Sequence, residues 1–344
     1  MATPPATRAN WPVRLWATIG VGALALQTIV WMRFIASGPR SLTYYRDIES
    51  SAYVAAKLFE VTLIVLTVGT VGLTIRGVLI ARQWTTNAML LVAFASMLWI
   101  DPMLNYLRPG FYFSQNLTNI ESWVQFIPGQ LAPHANHTPV PYIWIIGAYV
   151  GFFLPVLLAN VKLLTLIRRR WNVTSPVALV IAALPLSVLL DFILETVAIR
   201  TGVMAYPAAS HRWSLWGGTI HQFPLIQIFA ASMFWAVFSV IIFLVDTRGW
   251  TPAERGAESF QSSRVRTAVR QLALIGLANT LFLTLPLGIV QLTVAYTDDF
   301  PDGFPTHLSG QWCGTDDQPY GPCPGPGVPW QVRVPGTVDQ SPTE

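Results

Sequence analysis

An all-α polytopic membrane bundle of about seven helices, with its N-terminus inside and its C-terminus outside, is the fold class that the sequence predicts. Three observations predict it. Only 11% of the 344 residues are charged, less than half of the roughly 25% typical of a soluble chain. The apolar residues fall in runs of about 20 or more, the length that carries an α-helix across a bilayer. The arginines gather in the breaks between those runs, where a positive-inside count turns them into an orientation. A water-soluble domain is excluded on these grounds. The net charge of +4 does not point to a nucleic-acid partner, because no basic face or binding module carries it.

Arg8 and Arg14 precede the first span, Leu15–Ala36, whose bulky apolar run is longer than that of a signal peptide. The second, Ala52–Ile75, stops at Arg76. The third and fourth are Thr86–Tyr106 and Pro141–Ile167, the latter closed by Arg168, Arg169 and Arg170. The fifth and sixth are Ser175–Ile199 and Thr219–Val245, the sixth with Pro224 in its first turn, where a missing amide donor costs least. The seventh is Ala268–Ala295. Residues 1–14 are then a short cytoplasmic N-terminus, and 15–296 a membrane domain with a long outer loop at 107–140. Residues 297–344 form a Gly/Pro-rich acidic tail outside the cell membrane.

With the N-terminus inside, twelve arginines are cytoplasmic: Arg8, Arg14, Arg76, Arg82, Arg168, Arg169, Arg170, Arg248, Arg255, Arg264, Arg266 and Arg270. Six fall outside: Arg40, Arg46, Arg108, Arg200, Arg212 and Arg333. The two cysteines, Cys313 and Cys323, lie in the outer tail, either as a disulfide closing a short loop or as free thiols.

Ionisable groups inside spans are expensive unless they pair or line a wet cavity. Here Arg33, Lys57, Glu60, Asp101, Asn105, Asp191, Glu195, His221, Gln222, Gln227 and Gln291 all fall in the outer half when the spans alternate in direction. Lys57 and Glu60 are spaced i,i+3, and Asp101/Asn105 and Asp191/Glu195 are spaced i,i+4, so each pair shares a helix face. Three faces thus contribute to one polar pocket. The competing account is interhelical glue, with Lys57–Glu60 a self-neutralising pair and Arg33 snorkelling to the interface. Four acids against two obvious basic partners leave at least one carboxyl to stay protonated, the state that a general acid needs. The aromatic-rich outer loop, with Tyr112, Glu121, Trp123, Phe126 and Ile127-Pro128-Gly129, reads as a lid over that pocket.

Several motifs are present in letters only. Gly20-x-Gly22-x-x-Ala25 lies inside an apolar span, so it reads as a packing face, as does Gly147-x-x-x-Gly151. Asp298-Asp299-x-x-Asp302 has no second acidic cluster to share magnesium. His134-x-x-His137 lacks a third ligand, so no metal is expected. Asn116-Leu-Thr118 and Asn136-His-Thr138 spell glycosylation sequons. Walker, G-x-S-x-G, haem-attachment and multi-histidine motifs are missing from the sequence, and no cofactor is expected.

The ordered set Trp99-Ile-Asp101-Pro102-Met-Leu-Asn105-Tyr106, Trp123-Val-Gln-Phe-Ile127-Pro128-Gly129, Asp191 to Glu195, and His221-Gln222-Phe-Pro224 resembles the avermectin-type membrane spirocyclase family of actinobacteria, over residues 15–296. The resemblance implies closure of a dihydroxy-ketone, usually on a polyketide, into a spiroketal with loss of water. It supplies no agreed catalytic residues.

The pocket suits that chemistry independently. Ketal formation through an oxocarbenium ion needs a proton donor, a carboxylate near the developing positive charge, and walls that exclude water. Asp101, Asp191, Glu195 and Glu60 are the candidate carboxyls, with Glu195 or Asp191 as the acid and Asp101 as the cation stabiliser. His221 is a candidate proton relay. Asn105, Tyr106, Trp123, Gln222 and Gln227 are candidate substrate-binding or orienting groups. The expected partners are a hydrophobic small molecule and the lipid of the plasma membrane. Three rival readings share the architecture: a carotenoid- or terpenoid-type membrane cyclase, a small-molecule or lipid transporter, and a receptor or scaffold.

Overall fold

The computed structural model describes residues 10–42, 46–106, 110–131, 138–294, 297–298, 301, 303 and 305–309. Among the described residues, seven helices are long and apolar enough to cross a membrane: α1 (Trp11–Ala36), α2 (Ser51–Ala81), α3 (Thr86–Asn105), α4 (Tyr142–Trp171), α5 (Pro176–Arg200), α6 (Leu225–Phe243) and α7 (Ser263–Gln291). Their starts follow from local chemistry. Ser50 and Thr85 cap α2 and α3 by accepting from the amides of Tyr53 and Ala88, and Pro12 and Pro176 stand in first turns. α2 runs past Arg76 and ends at Arg82 in the left-handed conformation. Its 31 residues span about 46 Å, more than the ~30 Å hydrocarbon core. One face of α2 (Val54, Leu58, Val61, Val65 and Val68) is more than half exposed, an apolar stripe that calls for lipid and not water.

The expected sixth span is corrected at its start. Pro224 has no amide to donate and forces its predecessor into extended backbone, so β7 (Phe223–Pro224) pairs antiparallel with β6 (Ser214–Leu215) and the helix begins at Leu225. His221 and Gln222 therefore sit on a hairpin before the helix.

Small residues let helices approach closely. Gly20 of α1 lies against the Leu272 carbonyl and the backbone of Gly276 in α7, while Gly276 lies against the Trp16 carbonyl. Gly22 meets open space and Ala25 is exposed, so only Gly20 of that expected packing face is used. Gly147 and Gly151 seat α4 on Leu63 and Thr67 of α2. A Cβ at Gly276 would land on the Trp16 carbonyl, so Gly276→Ala is expected to cost about 1–3 kcal/mol, read as a lower Tm of the detergent-solubilised protein. An unchanged Tm would show that α1 and α7 part without cost.

Two helices are locally widened. In α4 the stretch Gly147–Phe152 is π-helical, and in α7 so is Leu283–Leu287, which contains Pro286. Pro155 cannot bond the carbonyl of Gly151, and Thr70 Oγ1 donates to that oxygen instead, at 2.8 Å. α3 ends as a 3₁₀ helix over Leu98–Asn105, with Pro102 inside it. Gln291 Nε2 donates to the Met103 and Leu104 carbonyls there, at 2.9 Å each.

Short strands cap one end of the bundle. β1 (Ser41–Leu42), β3 (Asn119–Ile120) and β4 (Val140–Pro141) form one antiparallel sheet. β2 (Tyr112–Phe113) and β5 (Met204–Ala205) form a ribbon, with Tyr112 opposite Ala205 and Phe113 opposite Met204. Asn116 is buried, its Oδ1 accepting from the Asp47 amide, so that sequon is a structural residue of the cap. Asn136, His134, His137, Cys313 and Cys323 lie outside the described residues, as do Asp299 and Asp302. Asp298 accepts from Ser210 Oγ and the His211 amide.

After α7 the chain returns to this cap as a short helix, α8 (Thr306–Ser309). The His307 carbonyl accepts from the Gln115 amide at 2.8 Å, and the imidazole is buried with Nε2 unpartnered. Burial holds His307 below the usual imidazole range, with Asp47 opposing. A histidine lowered on folding stabilises the fold above its unfolded value, near 6.5, and that stability is lost as pH falls from there through the folded value. Amide protection factors at 111–118, with the intrinsic pH dependence of exchange divided out, are therefore expected to fall on acidification below about 6.5. The dependence is expected to weaken in His307→Gln, and a pH-independent wild type would refute it.

The opposite end carries most of the arginines. Thr251 and Glu254 form a capping box, and buried Glu254 binds Arg270 at 2.8 Å. The Arg255 carbonyl accepts from the Val13 amide, tying this loop to α1.

Candidate active site

Under the β2–β5 ribbon lies a cavity of about 140 Å³. Every long helix except α1 contributes to its lining. Because side chains alternate along a strand, Phe111 and Phe113 from one side of the ribbon and Met204 and Tyr206 from the other all line the cavity roof. Its walls are Trp144, Phe152 and Phe153 of α4, Trp235 of α6 and Phe282 of α7.

Into this aromatic enclosure come three carboxyls. Asp101 enters from the 3₁₀ end of α3 and accepts from the phenol of Tyr149 at 3.0 Å. Asp191 and Glu195 enter from one face of α5, and Glu195 accepts from the phenol of Tyr206 at 2.6 Å. Gln227 of α6 stands beside them, with its Oε1 buried and unpartnered, as is Asp191 Oδ2. Among the described residues, the lining contains no lysine, arginine or histidine. Burial first, and then the charge of Glu195, push the Tyr206 phenol well above its ordinary range, so this hydroxyl is a proton-bearing donor at neutral pH. Two phenol–carboxyl pairs and one further carboxyl thus face a common space, an arrangement suited to delivering a proton and stabilising a cation away from bulk water.

The sequence profile of the family described as Spirocyclase AveC-like matches residues 81–308, well over half of the chain. The chain belongs to this AveC-like spirocyclase family. No curated protein and no solved structure matches it. The matched region begins at the end of α2 and holds every lining residue of the cavity except Leu63. It also reaches into α8, beyond the stretch over which the motifs carry the resemblance.

Of the residues singled out in the sequence, Asp101, Asp191, Glu195 and Gln227 are brought together in this cavity. The others stand elsewhere. Glu60 is bound to Lys57 at 2.8 Å and to the Thr118 amide, tying α2 to the cap. Asn105 accepts from the Gly110 and Phe111 amides and donates to the Phe111 carbonyl, which fixes Phe111 over the cavity. Gln222 donates to the carbonyls of Tyr206 and Pro207 at 2.8 and 3.0 Å, fixing Tyr206 in the same way. These two amides orient the roof and do not line the site.

Tyr106 donates to the Pro128 carbonyl. Trp123 donates to the Trp99 carbonyl at 2.7 Å and packs on Trp31, ring centroids 4.7 Å apart. His221 Nδ1 lies 3.4 Å from the Ile199 carbonyl, on the hairpin and outside the lining. Arg33 lies over the Phe126 ring, 5.7 Å from its centroid, at the capped end of α1.

Sequence reasoning missed Tyr149 and Tyr206. Tyr149 sits between the two packing glycines of α4, where a polar hydroxyl within an apolar run was the available signal. Tyr206 sits in a short loop, and its role depends on a strand pairing between two loops far apart in the chain, which leaves no local pattern.

Proposed function

We propose that the chain is a membrane-embedded spirocyclase that closes a dihydroxy-ketone, of polyketide type, into a spiroketal with loss of one water. The reading rests above all on one observation: Asp101, Asp191 and Glu195 meet at a single aromatic-walled cavity with two phenols as their partners. The exposed apolar stripe of α2 and the concentration of arginine at the far end support insertion in the plasma membrane, with the cavity in its outer half.

In this reading one substrate hydroxyl adds to the ketone to give a hemiketal. The Asp191/Glu195 pair protonates the hemiketal hydroxyl, which departs as water. Asp101, its charge oriented by Tyr149, faces the oxocarbenium ion, and the aromatic rings offer it their negative faces. The second hydroxyl attacks the cation and returns its proton to the carboxyl pair. The cycle is redox-neutral and balances without a cofactor. A cavity of about 140 Å³ is small beside the ~300–1,000 Å³ of drug-sized pockets. It suits the carbon undergoing closure and its neighbours, with the rest of the substrate outside.

The test supplies membranes containing the protein with a chiral dihydroxy-ketone precursor and follows it by mass spectrometry. One stereoisomer lighter by one water is expected. Unchanged precursor with folded protein would overturn the reading. A product of unchanged mass would favour a carotenoid- or terpenoid-type cyclase, and directional movement without chemical change would favour a transporter.

A further inference from the structure

Bordering the cavity on its α4–α5–α6 side lies a second polar cluster. Leu164 of α4, Ala183 of α5 and Ala236 of α6 belong to one buried apolar contact. Four residues nearer the cavity on each of these helices stand Asn160, Ser187 and Ser232. Residues four apart share a helix face, so these three face the same junction of α4, α5 and α6. All three are fully buried. Ser187 Oγ donates to the Ala183 carbonyl at 3.1 Å and lies 3.4 Å from Asn160 Oδ1. Asn160 Nδ2 and Ser232 Oγ have no protein partner.

Buried polar atoms in native proteins are paired with protein or with ordered water, and an unpaired one is costly. Two unpaired atoms at one junction, a donor amide and a hydroxyl, are complementary to a water molecule. The cluster is also in line with the site above it. Ser187, Asp191 and Glu195 follow one another at i, i+4 and i+8 along a single stripe of α5, and Asp191 Oδ2 is itself buried and unpartnered. Above the junction on α6, Ala231 lines the cavity next to Ser232.

We propose that Asn160, Ser187 and Ser232 form an internal water-binding site that communicates with the cavity through Asp191. Taken with the proposed dehydration, on which this role rests, the site accepts the water that leaves the hemiketal. Protonation of the departing hydroxyl makes one water, and the site takes that molecule from the side of the cavity bearing the acid pair. It is thereby kept from adding back to the oxocarbenium carbon before the second hydroxyl attacks.

The test is a density map of the full chain in lipid nanodiscs, at a resolution that shows ordered water, for the wild type and for Asn160→Leu/Ser232→Ala, alongside product formation. In the wild type, water density is expected within hydrogen-bond reach of Asn160 Nδ2 and Ser232 Oγ. In the variant that density is expected to be gone and product formation about tenfold slower, with Tm retained. Simple interhelical glue predicts the reverse: a lower Tm with the rate per folded molecule unchanged.

A wild-type map with Asn160 and Ser232 bonded directly to each other, and no water between them, overturns the site. Loss of the water with the full rate kept overturns its role. Water present in a wild type that makes no spiroketal removes the proposed reaction and leaves the site standing. Should the double variant fail to fold, Ser187→Ala, which removes a single hydroxyl, is read in the same two ways.

Discussion

Glu195→Gln is expected to lower ring closure by about 10²–10⁴-fold, the range that a positioned general acid contributes. Glutamine keeps the volume of the side chain and still accepts from the Tyr206 phenol, which holds it at 2.6 Å in the native protein. Tyr206 therefore stays over the cavity, and Gln222 continues to hold its backbone. What is lost is the exchangeable proton. Tyr206→Phe separates the two contributions, because it removes the partner of Glu195 and leaves the carboxyl, so its effect is expected to be the smaller. The measurement is single-turnover product formation by mass spectrometry on protein matched for Tm. Full activity in Glu195→Gln would move the acid to Asp191, four residues away on the same face, and Asp191→Asn would then carry the loss.

Asp101→Asn is expected to cost about 10²–10³-fold in the same measurement, the size seen when one preorganised group facing a developing charge is removed. The sign follows from geometry. Asp101 stands on α3, apart from the α5 pair, and is oriented by Tyr149 at 3.0 Å. The amide can keep that hydrogen bond but carries no negative charge to set against an oxocarbenium ion. The loss is expected in the chemical step with substrate binding little changed, a split between kcat and KM. Equal activity of Asp101→Asn and wild type would remove Asp101 from the chemistry, and a change confined to KM would make it a binding group.

The parts of this molecule that were legible in the sequence are those written in local pattern. Seven apolar runs gave seven helices, because membrane-length hydrophobicity is read from composition alone. Asp101, Asp191 and Glu195 were legible because a carboxyl inside an apolar run is conspicuous, and because i,i+4 spacing fixes a common face. The start of α6 was not, since Pro224 fits the first turn of a helix as well as the end of a strand, and the pairing with Ser214–Leu215 decided between them. Glu60, Asn105 and Gln222 look alike as polar residues near span ends. Whether each faces a cavity or a backbone group depends on how the connecting loops fold back, which no helical periodicity records. Tyr149 and Tyr206 went unseen because phenols are common in apolar spans and interfaces, and only their partners distinguish them.

The widened turn at Gly147–Phe152 makes chain length as important as residue identity. A π turn accommodates one residue more than the α-helix it interrupts. Removing a single residue there would restore an ordinary helix with both flanking stretches kept in register, and would re-aim the side chains of the widened turn itself. Tyr149 would remain in the sequence while its hydroxyl left Asp101. Among relatives of this chain, a one-residue gap in the fourth span therefore carries as much information about chemistry as a substitution of the tyrosine itself, and a comparison that scores only matching letters would overlook it.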